Sequence, residues 1–168
     1  HGYQASVMLL RPKSHGQVKL RSKEPRDSPE ILFNYLESPA DIDTLRAGVG
    51  QLRRIFAQPA FDPYRGPEVL PGDGVRSDDE IDGFVRQTAK STHHPCCTCR
   101  MGIDEAAVVD EKGRVRGVDG LRVIDASIMP TITSGNINAP TIMIAEKLSD
   151  ALCGNQPLPP LEALPAAR

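Results

Sequence analysis

The stretch LRVIDAS, residues 121–127, and the segment SGNINAPTIMIAEKLSDALCG, residues 134–154, carry the clearest structural pattern in the chain. The first stretch is an apolar run that ends in an acidic residue and small ones. This pattern predicts a buried strand whose carboxyl end lets the backbone approach a ligand. The second segment predicts a polar loop and then an apolar helix that starts at Pro140 and ends at Gly154. Together they predict a strand and a helix beside a ligand site.

The first 36 residues predict two or three antiparallel strands. An apolar run covers residues 6–10, and Val18 and Leu20 follow a turn at Gly16. Apolar side chains then recur with a period of two at Ile31, Phe33 and Tyr35. A period of two is typical of a strand with one buried face, so we expect a small antiparallel sheet here.

Two helices are predicted between this sheet and the C-terminal segments. The first begins with Ser38 as the N-cap, Pro39 as the first helical residue and Asp41 three residues after the cap. A loop rich in proline and glycine follows at residues 59–74. Ser77 and Glu80 then form a capping box for the second helix, which we expect to extend to about Lys90. The sequence therefore combines strands and helices in a mixed α+β class.

Charge and composition limit the possible partners and compartments. The 168 residues include 20 Lys and Arg and 22 Asp and Glu, so the net charge is -2. This balance gives no field that steers the protein toward nucleic acid, and we expect none as a partner. No apolar run approaches the ~20 residues of a spanning helix, and no secretory signal is visible. The crowded cysteines favour a reducing compartment, so we expect a cytoplasmic location.

The stretch THHPCCTCRMG, residues 92–102, holds two histidines and three cysteines. Cys96 and Cys99 form a CxxC pair, which is half of a structural zinc site, but no second pair follows at the required spacing. A CxxC pair is also typical of thioredoxin-like redox sites, but those place an apolar helix after the pair, and an acidic loop follows here. We therefore interpret Cys96, Cys97 and Cys99 as small fillers of a turn under a ligand, with no metal site.

Three ordered motifs resemble the C-terminal signature of the glucose-methanol-choline (GMC) family of flavin-dependent oxidoreductases. They are HPCCTCRMG at residues 94–102, VVDEKGRVRGVDGLRVIDASIMPT at residues 108–131 and SGNINAPTIMIAEKLSD at residues 134–150. The resemblance is greatest to the branch that contains choline and aliphatic alcohol dehydrogenases. It implies a mixed α/β fold with part of an antiparallel substrate-domain sheet, helices, and the last strand and helix of the FAD domain.

The resemblance also implies the catalytic residues. His94 matches the active-site histidine that faces the reactive edge of the flavin, and Asn136 matches a second position that the family fills with His or Asn. Oxidation of an alcohol requires a base for the oxygen-bound proton, and imidazole, with a pKa of about 6.5, suits that task. An amide can donate to the substrate oxygen without competing for the proton. Without the resemblance, Asn136 would be interpreted as a turn residue.

Four further residues match positions that meet the cofactor. Asp125 and Ala126 match the turn near the ribityl and phosphate region of FAD, whereas Ile137 and Asn138 match backbone along the isoalloxazine ring. Asp125 has an alternative interpretation as the cap of the next turn. This chain departs from the pattern at Cys97, which stands where many relatives have glycine.

The resemblance implies a division of the chain and a missing partner. Residues 1–91 would be a portion of the substrate-binding domain, residues 92–153 would carry the active site and complete the FAD domain, and residues 154–168 would form a flexible tail. No GxGxxG motif for FAD occurs in the sequence. The chain also starts at His1 and not at Met. We therefore expect a longer parent enzyme in which an N-terminal region binds most of the FAD.

Further expectations concern the isolated chain and its parent. The 168 residues alone should bind FAD weakly and oxidise no alcohol, while the parent acts on a small alcohol and could associate peripherally with a membrane. The alternative interpretation, from a different class, is a free-standing binding or structural module with a Cys/His metal site.

Overall fold

A computed structural model describes residues 2–159 of the chain. The contacts divide it into two compact units, unit 1 from His1 to Thr92 and unit 2 from His93 to Arg168. The predicted flexible tail, residues 154–168, lies outside the described residues from position 160 onward. Assignment of the units to a substrate domain and an FAD domain stays a prediction.

Unit 1 contains a small antiparallel sheet and two α-helices. Strand β1 (Gln17–Lys19) pairs with strand β2 (Glu30–Leu32), and Val18 lies opposite Ile31. Helix α1 (Pro39–Phe56) and helix α2 (Asp78–Thr88) follow, separated by a loop that includes a 3-10 turn at Pro59–Phe61. Ile42 of α1 and two residues of α2, Ile81 and Val85, are buried. The mixed α+β class predicted from the sequence is confirmed.

The strand predictions for residues 6–10 and for residues 33–35 are wrong. Residues 6–10 form no strand, because this segment packs against α1, where the Val7 side chain lies directly over Gly48. Strand β2 ends at Leu32 because Asn34 and Leu36 adopt φ values of 54° and 61°, in the left-handed region that interrupts a strand.

The caps of the two helices differ. Ser77 and Glu80 form the predicted capping box of α2, which ends at Thr88, two residues before the expected end. Ser38 precedes α1 as predicted, but its side chain makes no cap hydrogen bond. The Ser14 hydroxyl instead accepts a hydrogen bond from the Ser38 N–H at 3.0 Å. Asp41, predicted to belong to the cap, accepts hydrogen bonds from segment 13–14 instead, so a remote part of the chain secures the start of α1.

Unit 2 is built mainly from loops around a small core. Val109, Ile128 and Leu148 form its centre, with partly buried neighbours packed around them: Met101, Val115, Val123, Ile124 and Ile144. Isolated bridges pair Met101 with Val109, Val109 with Val115, and Arg114 with Arg122. The predicted strand over residues 121–127 is therefore reduced to one bridge. It ends early because Asp125 starts a 3-10 turn at Ala126–Ile128 with its own side chain as the cap.

Helix α3 (Asn138–Cys153) ends unit 2. It begins two residues before the expected start. Pro140 is tolerated in the first turn because backbone N–H groups there have no partner within the helix, so the missing N–H of proline breaks no helical hydrogen bond. Gly154 ends the helix in a left-handed conformation with a φ of 74°, as predicted. Within residues 2–159, none of the helices has the length and apolar character needed to cross a membrane.

Candidate active site

The structure brings the two predicted catalytic side chains into direct contact. His94 Nε2 lies 3.2 Å from Asn136 Oδ1, although the two residues are 42 positions apart in sequence. His94 is partly buried and Asn136 is exposed. An amide oxygen only accepts hydrogen bonds, so a hydrogen bond at this contact requires the tautomer with a proton on Nε2. The pair therefore presents an imidazole and an amide at one place on the surface of unit 2.

Main-chain hydrogen bonds hold the loop that carries His94. The N–H groups of Cys97, Cys99 and Met101 donate to the carbonyl oxygens of residues 126, 127 and 128 at 3.4, 3.0 and 2.8 Å respectively. Every second residue of the loop is thus hydrogen-bonded to the next residue along the 3-10 turn. Because Met101 also packs against the core, the His94 loop is anchored at its far end and more loosely held near the histidine.

Asn136 is held by the start of α3. The next residue, Ile137, is buried at 8% exposure, and its carbonyl oxygen accepts hydrogen bonds from Thr141 N–H at 3.0 Å and Thr141 Oγ1 at 2.6 Å. The apolar anchor and the first helical turn fix the backbone beside Asn136. The sequence NINAPT, residues 136–141, therefore leaves the Asn136 side chain exposed while its backbone is constrained.

The four predicted cofactor residues have different surroundings. The Asp125 carboxylate accepts hydrogen bonds from Ser127 N–H at 2.7 Å and Ser127 Oγ at 2.5 Å, so its role as a turn cap is present. Ala126 contributes its carbonyl oxygen to the His94 loop. Ile137 packs into the unit, whereas Asn138 is exposed as the first residue of α3. That these residues contact FAD stays a prediction.

The start of α3 fits an electron-rich group such as a reduced flavin. Ile137 occupies the N-cap position and provides no side-chain hydrogen bond to the helix. The free N–H groups of a helix start favour acceptors and negative charge. Asn136 immediately precedes this helix start, so these N–H groups would be the ones near the His94–Asn136 pair to hold such a group.

One cysteine stands at a backbone position that favours glycine. Cys97 has a φ of 71°, in the left-handed region where glycine is favoured. The Cys97 thiol donates a hydrogen bond to Cys96 Sγ at 3.3 Å. Partial burial, followed by the influence of Cys96, raises the pKa of Cys97 to about 12.

Within residues 2–159, no group of three or more His, Cys, Asp or Glu side chains is arranged to hold a metal ion.

Comparison with known proteins identifies the class. The C-terminal family model described as GMC oxidoreductase matches residues 12–145, and the chain belongs to this family. Among curated proteins, the oxygen-dependent choline dehydrogenase of Pseudomonas fluorescens is 55% identical over 159 residues. The alignment covers 95% of this chain and 28% of that relative, so the chain spans little more than a quarter of the relative's length.

Solved structures agree with the family assignment. Pyridoxine 4-oxidase from Mesorbium loti matches with a TM-score of 0.81 and 36% identity, over 88% of this chain and 29% of that one. An FAD-dependent oxidoreductase from Chaetomium thermophilum matches with a TM-score of 0.81 and 34% identity, over 86% of this chain and 25% of that one. The GMC resemblance and the fold class predicted from the sequence are confirmed.

Proposed function

We propose that this chain supplies the proton-transfer residues of a flavin-dependent enzyme that oxidises an alcohol, with choline as the substrate. The observation that carries this proposal is the 3.2 Å contact between His94 Nε2 and Asn136 Oδ1. The identity of 55% to an oxygen-dependent choline dehydrogenase supports choline in particular. The name of the related pyridoxine 4-oxidase suggests pyridoxine as the second alcohol to compare with choline in a test.

His94 acts as the base in this proposal. The alcohol oxygen binds between the imidazole and the amide and replaces the direct hydrogen bond between them. Nε2 must then accept from the substrate hydroxyl, so the proposal requires the tautomer with the ring proton at Nδ1, and not the one that donates to Asn136 Oδ1. The hydroxyl proton moves to Nε2 as the reaction proceeds.

Asn136 holds the substrate oxygen. Its amide nitrogen donates to that oxygen, and the hydrogen bond strengthens as negative charge develops on the oxygen. Because an amide cannot take up the proton near neutral pH, Asn136 does not compete with His94. The burial of the neighbouring Ile137 constrains the backbone that carries the Asn136 side chain.

The cofactor would lie against the turn at Ala126 and the start of α3. Ala126 offers a small side chain, and the backbone around Ile137 and Asn138 offers N–H groups without a side-chain cap. FAD, when bound, supplies the acceptor for the hydride from the substrate carbon. We propose that most of the FAD contacts come from a region outside this chain, because no GxGxxG motif occurs in its sequence.

The first test is the substitution His94→Ala in the complete enzyme. We expect kcat/KM for choline to fall by about 10²- to 10⁴-fold, the size associated with general base catalysis. His93→Asn is the matched control, because His93 has a φ of 59° and asparagine tolerates this conformation. Unchanged turnover in His94→Ala, with normal bound flavin by absorbance, would refute the base assignment.

The second part of the test separates the substrate from the chemistry. Wild-type enzyme should oxidise choline with a higher kcat/KM than pyridoxine or a simple primary alcohol. Asn136→Ala should lower kcat for every alcohol, whereas Asn136→His should retain more of it because imidazole also donates a hydrogen bond. A preference for pyridoxine would refute choline and leave the role of His94 standing.

A further inference from the structure

Two adjacent thiols lie within reach of each other in the His94 loop. The Cys97 thiol donates to Cys96 Sγ at 3.3 Å, and both side chains are partly exposed. A disulfide requires a sulfur–sulfur distance of about 2.05 Å, so the two sulfurs must move closer together before a bond can form. The interpretation of this stretch as a turn filled by small residues leaves the sulfur contact without a role.

We propose that Cys96 and Cys97 form a thiol redox site that hydrogen peroxide oxidises to a disulfide between the two neighbouring residues. The proposal does not depend on the proposed function of His94. The geometry distinguishes the pair from the CxxC alternative, because the contact joins adjacent cysteines and not Cys96 with Cys99.

The two thiols have unequal roles in this chemistry. Partial burial and the nearby Cys96 sulfur raise the pKa of Cys97 to about 12, so Cys97 stays protonated near neutral pH and donates to its neighbour. Cys96 Sγ is the acceptor in this contact, and we expect it to be the sulfur that reacts first with peroxide. Cys97, already in contact, is placed to complete the reaction before further oxidation of Cys96.

The reaction balances in two steps. Cys96 sulfur attacks one peroxide oxygen, the O–O bond breaks, one water leaves and Cys96 becomes a sulfenic acid. Cys97 then gives its proton to the departing hydroxyl oxygen as its sulfur attacks Cys96 sulfur, the S–O bond breaks and a second water leaves. The two thiols lose two electrons and two protons in total, and hydrogen peroxide gains them to become two waters.

Closure of this ring would strain the peptide that joins the two cysteines. The N–H of Cys97, in the peptide that joins the two cysteines, makes the longest of the three hydrogen bonds that hold the loop, at 3.4 Å to the Ala126 carbonyl oxygen. Adjacent Cα atoms are only ~3.8 Å apart, which is shorter than the ~4.4 to 6.8 Å of ordinary disulfides. The product is therefore strained, and a mild reductant should reverse the oxidation.

The test maps the oxidised thiols in the complete wild-type protein. After treatment with hydrogen peroxide, free thiols are blocked, disulfides are reduced and the released thiols receive a second label. Cleavage after Lys90 and Arg100 gives one peptide, residues 91–100, that contains all three cysteines of the cluster. We expect the second label on Cys96 and Cys97 and the first on Cys99, with complete return of both thiols after dithiothreitol.

Several outcomes would overturn the proposal. These are a disulfide that includes Cys99, irreversible oxidation of Cys96, or first labels on all three cysteines. Cys153, exposed and at the end of α3, serves as an internal control that should take the first label throughout. In Cys97→Ser, peroxide should instead trap Cys96 as a sulfenic acid detectable with dimedone, and a disulfide to Cys99 in that variant is not expected.

Discussion

Unit 1 and unit 2 differ in the kind of contact that holds each of them together. Side chains join the two helices of unit 1: Arg46 of α1 donates to both oxygens of Asp82 in α2, at 2.6 and 2.7 Å. Main-chain hydrogen bonds join the loops of unit 2, as at Met101 and Ile128. The His94–Asn136 pair belongs to unit 2. Its geometry therefore depends on backbone conformation more than on the identity of neighbouring side chains.

The largest effect on stability is expected at Gly113, where unit 2 has no space for a side chain. Gly113 is buried, has a φ of 70°, and a Cβ there would lie 2.7 Å from the Val123 carbonyl oxygen. Gly113→Ala should destabilise the complete protein by about 3 kcal/mol, because strain and a backbone clash combine. Thermal or urea unfolding followed by circular dichroism measures the change.

Gly117 provides the matched control for this prediction. It has a φ of 78°, but no neighbouring atom lies within 4 Å of the position that a Cβ would take, so Gly117→Ala adds conformational strain without a clash. The expected cost is about 1 kcal/mol. Equal costs for the two substitutions would mean that close packing of the backbone does not set the stability of unit 2.

A smaller effect is expected at Asp41, the buried carboxylate of unit 1. It is 2% exposed and accepts hydrogen bonds from Lys13 N–H, Ser14 N–H and the Ser14 hydroxyl, at 2.8, 2.8 and 2.6 Å. Asp41→Asn retains the shape but weakens the charge-assisted bonds, at a cost of about 2 kcal/mol at neutral pH. Unfolding midpoints of the two proteins give the difference.

This difference should depend on pH. Burial alone would raise the pKa of Asp41, but the hydrogen bonds from Ser14 and Lys13 hold that pKa below its ordinary value of 3.8. A lowered folded-state pKa stabilises the fold above the unfolded-state pKa, and this contribution disappears as pH falls through the folded-state pKa. The gap between wild type and Asp41→Asn should therefore narrow below about pH 4. A gap that widens with acidification would contradict the assignment.

The smallest effect is expected at Arg46, whose side chain is partly exposed. Asp82 holds the pKa of Arg46 above its ordinary value through a side-chain hydrogen bond, and Arg46 lowers the pKa of Asp82 in return. Arg46→Ala should lower the unfolding midpoint less than Asp41→Asn, and added salt should reduce the difference because exposed ion pairs are screened. Arg54→Ala on the same helix is the control. A shift independent of salt would point to lost packing instead.

The sequence predicted the elements that depend on local signals. The capping box at Ser77 and Glu80, the left-handed end of α3 at Gly154 and the start of α1 after Ser38 all follow from short patterns, and all are present. The strand at residues 6–10 was wrong because a tertiary contact, Val7 over Gly48, decides the conformation of that segment. The cap by Ser14 escaped prediction for the same reason, since its partner Ser38 lies 24 residues away.

The site was predicted from motifs and not from periodicity. The ordered motifs indicated His94 and Asn136, and the structure places their side chains in contact. The chemical roles of both residues, and the cofactor roles of Asp125, Ala126, Ile137 and Asn138, stay predictions. The left-handed conformation of Cys97 was signalled only by its position in a slot that many relatives fill with glycine. Periodicity carries no such information, because a positive φ in a loop leaves no repeating pattern.

The main-chain attachment of the His94 loop has a consequence for protein engineering. The turn at Ala126–Ile128 offers the loop only carbonyl oxygens, which are the same whatever side chains the donor residues carry. Loop sequences from other family members could therefore be grafted into this position without redesign of the turn. Such grafts must exclude proline at positions 97, 99 and 101, where a donor N–H is required, and position 97 must accept a positive φ.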